Sequence, residues 1–328
     1  MNASALYPRL PELLAEVEAS IARVWEGNRG FLAQASRRAL SGRGKRLRPA
    51  VVLLAAECAG GATERSIRLA AVAEIVHSAS LVHDDVVDDS TSRRGRRSAK
   101  ALWGNKVSVL LGDYLVAKAF DMLPADERPR LVEEMAGVAT RMCEGQVREL
   151  RRAGRLASEC EYLEMVRAKT GALFGFCAKM GAETGGGSAE VVDSLARFGE
   201  HFGIAFQLAD DILDLAGCNG KSGKPEARDL GERKLTLPLI LAASAGGQRV
   251  RGELVRLVQR DHIGAAEVRR AREIAEATQA VDVAWRRVHQ WLASAREQLA
   301  PLPDNRAKQA LLLMAGERFP LPVMPLPR

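Results

Sequence analysis

The sequence predicts an all-α fold, a single large helical bundle around a central hydrophobic cavity. Three observations predict it. Apolar residues recur at helical rather than alternating spacing almost throughout. Ala, Leu, Arg and Glu dominate a chain of 328 residues that is 47% hydrophobic but only 5% aromatic, as in helix-rich proteins. An acidic pattern, DDVVD (Asp84, Asp85, Asp88), recurs as DDILD (Asp210, Asp211, Asp214), each time at the end of a long apolar helical stretch.

The helices are expected, in order, near 8–26, 30–40, 47–58 and 66–89, with AGGAT at 59–63 dividing the last two. Helices at 106–123 and 127–152 are separated by LPADERP (123–129), where proline ends one and begins the next. Helices at 159–182 and 190–217 flank ETGGGS (183–188), and the polar run Gly217–Glu232 follows the second acidic helix. Helices at 233–244 and 248–259 are divided by SAGGQ (244–248), and those at 265–277, 280–298 and 305–316 complete the set. No segment reads as strand-rich. With no flexible linker and no 20–50-residue array, residues 1–328 are expected to form one domain, with 317–328 a non-helical Pro-rich tail.

Composition narrows the class further. The five cysteines (Cys58, Cys143, Cys160, Cys177, Cys218) show no paired spacing and fit a reducing cytoplasm better than a disulfide framework. The opening residues carry charges where a secretory apolar core would be needed, so no signal peptide is expected. The most apolar helix, Ser66–Asp89, contains Arg68, Glu74, His77 and His83, which argues against a membrane span. A net charge of +7 would favour weak peripheral contact with anionic lipid.

On a helix, Asp84 and Asp88 project only about 40° apart and Asp85 about 100° from Asp84. Asp210, Asp214 and Asp211 repeat that fan. One such pattern alone would read as a solvated, charged helix end. Two copies, each in apolar sequence and each near basic residues, point to divalent cations, because carboxylates this close repel unless an ion intervenes. Hard oxygen donors select Mg²⁺, with Mn²⁺ possible, and Mg²⁺ takes phosphate oxygens too. Basic residues lie close by: Lys45, Arg46 and Arg48 in GKRLRP, Arg93 and Arg94 after the first cluster, Lys224 and Lys234 after the second. Arginine forks match phosphate oxygens, and lysine acts as a point charge. A nucleic-acid patch is disfavoured, since the neighbouring carboxylates would repel a phosphate backbone. His77 shares the Asp84 face, seven residues earlier, although a lone histidine there is more often a hydrogen-bonded core residue. Gln207 and Phe206 precede Asp210 on its own face, and Lys169–Thr170 lies in an apolar helix where a buried lysine needs a partner.

Together these pieces resemble the trans-isoprenyl diphosphate synthases, or polyprenyl synthetases. The matching segments are GKRLRP, LVHDDVVDDSTSRRG, EGQ (Glu144–Gln146), KT (Lys169–Thr170), GIAFQLADDILD and GKPEARDLGERKLTLPLI, in family order over most of 40–240. Ala227 departs from a common glycine and Leu215 from a common aromatic. The resemblance implies an isoprenoid synthase-like helical fold around a hydrophobic tunnel. It implies a Mg²⁺-dependent prenyltransferase that joins isopentenyl diphosphate to farnesyl or geranylgeranyl diphosphate by ionisation, condensation and deprotonation, with three ions present when substrate is bound. Asp84, Asp85, Asp88, Asp210 and Asp214 would hold metal, with Asp211 as a helper. Arg93, Lys169, Lys224 and Lys234 would grip the allylic diphosphate, and Lys45, Arg48, His77 and Arg94 the isopentenyl one. Thr170 and Gln207 would face the cation.

The growing chain would run past Ser80, Ala79, Val76 and Ala73, with Ala73 roughly 16 Å below Asp84, towards a floor at Phe120, Met122 and Leu123. Bulky residues four and five positions before the first aspartate mark short-chain members of this family. Small Ala79 and Ser80 therefore imply a long-chain product of the octaprenyl type. The family is usually homodimeric. Competing readings are a terpene cyclase of the same fold, which needs no isopentenyl diphosphate, and the catalytic subunit of a two-component synthase.

Overall fold

A computed structural model describes residues 7–41, 46–93, 95–217, 227–260, 262–316 and 319. The expected Lys45, Arg94 and Lys224, and the tail 317–328 apart from Phe319, lie outside the described residues. The described residues are mostly helical, and the chain forms two compact units. One comprises 1–137, 174–199 and 296–328, the other 138–173 and 200–295.

The first unit begins with α1 (Leu10–Arg23), α2 (Phe31–Leu40), α3 (Leu47–Ala59) and α4 (Glu64–Val87). Helix α3 is buried at every position from Pro49 to Ala56, the mark of a helix enclosed on all sides. Helix α8 (Ala172–Thr184) lies against it where Gly181 sits: a Cβ there would stand 2.1 Å from the Val52 carbonyl oxygen. Helix α4 starts two residues before the expected 66, because Thr63 accepts the Ser66 backbone N–H and Ser66 returns a bond to the Thr63 backbone. It ends at Val87, leaving Asp88 as the residue that closes the last turn.

The basic stretch that follows forms a short hairpin. Ser92–Arg93 (β1) and Arg96–Arg97 (β2) pair antiparallel, with Arg93 opposite Arg96. Helix α5 spans Ala99–Asp121, with Ser98 capping it at the Ala101 N–H, so it opens well before the expected 106. Gly104, at φ 79°, breaks it, and the apolar periodicity registers only the segment after that break. Helices α4 and α5 pack together more extensively than any other pair in this unit.

The second unit takes its first residues from α6 (Arg128–Arg152), followed by α7 (Glu159–Val166) and a π-helical turn, Arg167–Gly171. The helix expected over 159–182 is thus interrupted where Lys169 and Thr170 lie. Helix α9 (Ala189–Ala216) supplies residues 200–216, and a one-turn helix α10 (Arg228–Gly231) follows. Helix α11 (Leu237–Ala245) is buried from Leu237 to Ala243 and packs against α7, α12 (Gly247–Val258) and α13 (Ala265–Ala277). It begins at Leu237 rather than 233. Thr236 precedes it, Pro238 occupies its first turn, and Arg233 is left-handed at φ 62°. Helix α14 (Ala280–Gln298) closes this unit, and α15 (Arg306–Met314) belongs to the first.

Candidate active site

In the first unit, Asp85 is buried and accepts the Arg93 Nε–H at 2.7 Å. The β1–β2 hairpin therefore folds its first arginine back onto the acidic helix. Asp84 and Asp88 are half-buried. His77, on the same helix, is also half-buried, and its carbonyl accepts the Ser80 hydroxyl at 2.8 Å. The two described basic residues of GKRLRP, Arg46 and Arg48, divide. Arg46, left-handed at φ 46°, turns inward to Glu74, to Glu18 at 2.5 Å and to the Leu40 carbonyl at 2.9 Å. Arg48 stays half-buried, its guanidinium 4.5 Å from the centre of the Phe174 ring. Arg46 thus ties the start of α3 to the acidic helix and is spent on that contact.

The second unit gathers more. Lys169, carried on the π-helical turn, and Lys234 both donate to one oxygen of Glu149, at 2.7 Å and 3.1 Å. Gln146 also donates to Glu149, at 3.2 Å, and Lys234 reaches Glu232 at 2.7 Å. Gly145 makes this meeting possible: a Cβ there would lie 2.8 Å from the Lys169 backbone nitrogen. That close approach is the physical content of the EGQ segment. Burial pushes the Glu149 carboxyl up, but Lys169 and Lys234 outweigh it and hold it below the ordinary carboxylate range. The neighbouring Thr170 hydroxyl donates to Gln207 Oε1 at 2.9 Å.

The carboxylates of α9 occupy three different environments. Asp210 is exposed. Asp211 is buried, accepting from the Tyr162 hydroxyl at one oxygen and from Gln207 Nε2 at 2.7 Å at the other. Burial pushes Asp211 up to about 7, against the lowering effect of those two hydrogen bonds. Asp214 accepts the Asp229 backbone N–H at 3.0 Å, which joins α9 to α10. Asp229 itself is raised well above the usual carboxylate range by burial, then by Asp211 and Asp214.

Tyr162, Glu149 and Asp229 were not singled out in the sequence. Asp229 stands inside the GKPEARDLGERK segment, and Tyr162 precedes Lys169 by seven residues, which is two helical turns. The family segment is the signal for Asp229 and the spacing to Lys169 a faint one for Tyr162, while Glu149 carries none.

This donor set suits a hard cation. Carboxylates that raise one another's pKa are the groups a divalent ion would relieve. Among the described residues, no three His, Cys, Asp or Glu side chains converge closely enough to hold an ion unaided. Mg²⁺ ordinarily completes its shell with water and phosphate oxygens.

The sequence profile of the polyprenyl synthetase family matches residues 29–275. Heptaprenyl diphosphate synthase component 2 of Geobacillus stearothermophilus is 33% identical over 322 residues, 97% of this chain and 99% of its own. Geranylgeranyl pyrophosphate synthase of Geoglobus acetivorans is 35% identical over 325 residues, 96% of this chain and 95% of its own. Polyprenyl synthase from Caulobacter crescentus CB15, solved with calcium and isoprenyl diphosphate, superposes with a TM-score of 0.89 at 34% identity, covering 96% of each chain. The all-α architecture is that of the isoprenoid synthases. Within that class, the chain belongs to the polyprenyl synthetase family: it is a trans-prenyl diphosphate synthase, a prenyltransferase of isoprenoid biosynthesis. The family uses a divalent metal. Among the described residues, no helix is long and apolar enough to cross a membrane.

Proposed function

We propose that the chain condenses isopentenyl diphosphate with farnesyl or geranylgeranyl diphosphate to give an all-trans polyprenyl diphosphate of octaprenyl length. The observation that carries this reading is the convergence of Lys169 and Lys234 on Glu149, within the same electrostatic cluster as Asp211 and Asp229. Asp210 acts on Asp211 and Asp214 on Asp229, so two aspartates for a metal ion stand close to the cations for a diphosphate.

Asp84, Asp85 and Asp88 in the first unit, and Asp210 and Asp214 in the second, would hold Mg²⁺, with three ions present when substrate is bound. The metal supplies neutralisation of the charge that builds on the leaving diphosphate. Lys169, Lys234, Lys224 and Arg93 orient the allylic diphosphate, and Arg48, His77, Lys45 and Arg94 the isopentenyl one. Thr170 and Gln207 turn oxygen dipoles towards the allylic cation. The double bond of isopentenyl diphosphate attacks that cation, and the released pyrophosphate takes the proton.

Two features of α4 support a long product. Ala73 and Ala79 are buried and small, so neither plugs a channel along the helix. The Ser80 hydroxyl is satisfied by its own helix at His77, which leaves it little polarity to present to a hydrocarbon. Val76, Phe120 and Met122 are half-buried, and Leu123 is buried at the end of α5, where the floor is placed. Each methylene taken out of water contributes roughly 0.8 kcal/mol, so elongation proceeds until that floor is met.

The working form is a cytoplasmic homodimer that touches anionic membrane weakly to release product. Exposed Phe31, Val109 and Leu110 in the first unit support the dimer, and the +7 net charge supports the membrane contact.

Purified protein incubated with labelled isopentenyl diphosphate, Mg²⁺ and either allylic starter should yield one long polyprenol after dephosphorylation. Cyclic hydrocarbon formed without isopentenyl diphosphate would establish a cyclase instead. Incorporation only after adding a second subunit would establish a two-component synthase.

A further inference from the structure

Tyr162 lies outside the segments that carry the family resemblance. Tyr162 lies on α7, is 3% exposed and needs an acceptor for its O–H. Asp211 is that acceptor, and its other oxygen takes the Gln207 Nε2–H at 2.7 Å. Both Asp211 oxygens accept, one from the Tyr162 hydroxyl and one from Gln207 Nε2, so Gln207 turns its nitrogen towards Asp211 and its Oε1 away. That Oε1 receives the Thr170 hydroxyl proton at 2.9 Å. Four groups from three sequence segments thus have their donor directions set from one end. With its proton committed to Gln207, the Thr170 oxygen presents lone pairs alone to any other group.

We propose that Tyr162 is a positioning residue for prenyl transfer, acting through Asp211 and Gln207 to keep the oxygen of Thr170, rather than its proton, towards the developing allylic cation. The inference rests on the prenyl-transfer reading above. It assigns Asp211 a task different from that of its exposed neighbour Asp210. Asp211 anchors the network, whereas Asp210 is available to an ion. Without the phenol, Asp211 regains freedom to rotate, the Gln207 amide can flip, and the Thr170 proton can point at positive charge. Oxygen dipoles held in place matter most where charge develops, so the loss falls on the chemical step and leaves ground-state binding alone.

The test compares Tyr162→Phe, Thr170→Val and their combination with the wild type. Tyr162→Phe should lower kcat by about tenfold while both KM values stay within about twofold, the pattern of an interaction made in the transition state. In the Thr170→Val background, Tyr162→Phe should produce no further fall, because the two act through one network. Thr170→Ser should restore the sensitivity to Tyr162→Phe. A thermal shift measured with Mg²⁺ and pyrophosphate should be unchanged in Tyr162→Phe and reduced in Asp210→Asn. If Tyr162→Phe does not fold, Asp211→Asn takes its place in the same cycle, since its amide can accept at one atom only. A full-rate Tyr162→Phe enzyme, or losses that add independently to Thr170→Val, would overturn the inference while leaving prenyl transfer intact. A wild-type protein that incorporates no isopentenyl diphosphate would overturn both.

Discussion

Glu149 shows how much a single side chain can organise. Its carboxylate takes Lys169 and Lys234 together, and their charges hold its pKa below the ordinary range despite its burial. A depressed carboxyl pKa adds stability above the unfolded-state value, and that stability is lost as pH falls through the folded-state value. Glu149→Gln should therefore lower stability at pH 7 by about 2–3 kcal/mol, less than for a fully buried pair because Lys169 remains 24% exposed. The difference between variant and wild type should shrink on acidification below the normal carboxyl range. Urea melts at pH 7 and at a pH well below the ordinary carboxyl range check both points, and equal differences at the two values would refute the assignment. At this scale the sequence exposes only part of the site. Lys169 and Thr170 stand out as polar residues in an apolar helix, and the aspartates by repetition. Glu149 and Tyr162 do not, because their meaning depends on partners brought in by folding: Lys234 for one, Asp211 for the other.

Among the elements, the long acidic helices are legible to within two residues, since apolar periodicity marks both. What escapes is geometry with no periodic signature: the π-helical turn at Arg167–Gly171, the break at Gly104 and the two-residue hairpin strands. Pro238 carried a start signal for α11 that the periodicity alone obscured. Ala227, the departure from the family's usual glycine, is left-handed at φ 50° and ψ 51° directly before α10. A Cβ in that region costs about 1–2 kcal/mol. Ala227→Gly should relieve part of it and raise the thermal midpoint by a few degrees, offset in part by the entropy glycine loses on folding. An unchanged or lower midpoint in calorimetry would contradict this. On α4, Ala79→Tyr places a ring at a buried methyl position. Overpacking should cost about 1–3 kcal/mol, and the product ladder should end at a shorter prenyl chain. The same product length in a folded variant would exclude this route for the hydrocarbon.

For the whole molecule, the fold class and the sense of the chemistry follow from two acidic patterns and their basic neighbours. The surface does not announce itself in the same way. Leu110 is 62% exposed and stands next to exposed Val109 on α5, yet in the sequence both read as ordinary helix residues. Only the folded chain shows them exposed. Leu110→Glu should shift the protein from dimer towards monomer in sedimentation equilibrium, with little effect on its helical content by circular dichroism. A wild type that is monomeric throughout would remove the basis for that expectation.

The shared carboxylate between Lys169 and Lys234 has a last consequence. These ammonium groups already carry a resident counterion, so a diphosphate bound by them, as proposed above, would enter by ion exchange rather than capture by naked charge. A monovalent anion offers the lysines little that Glu149 does not already provide. A diphosphate, with several formal charges close together, can displace it. Glu149→Gln should lose this discrimination, and competition between chloride and pyrophosphate at fixed ionic strength would show how far selectivity for densely charged ligands is built into the resting protein.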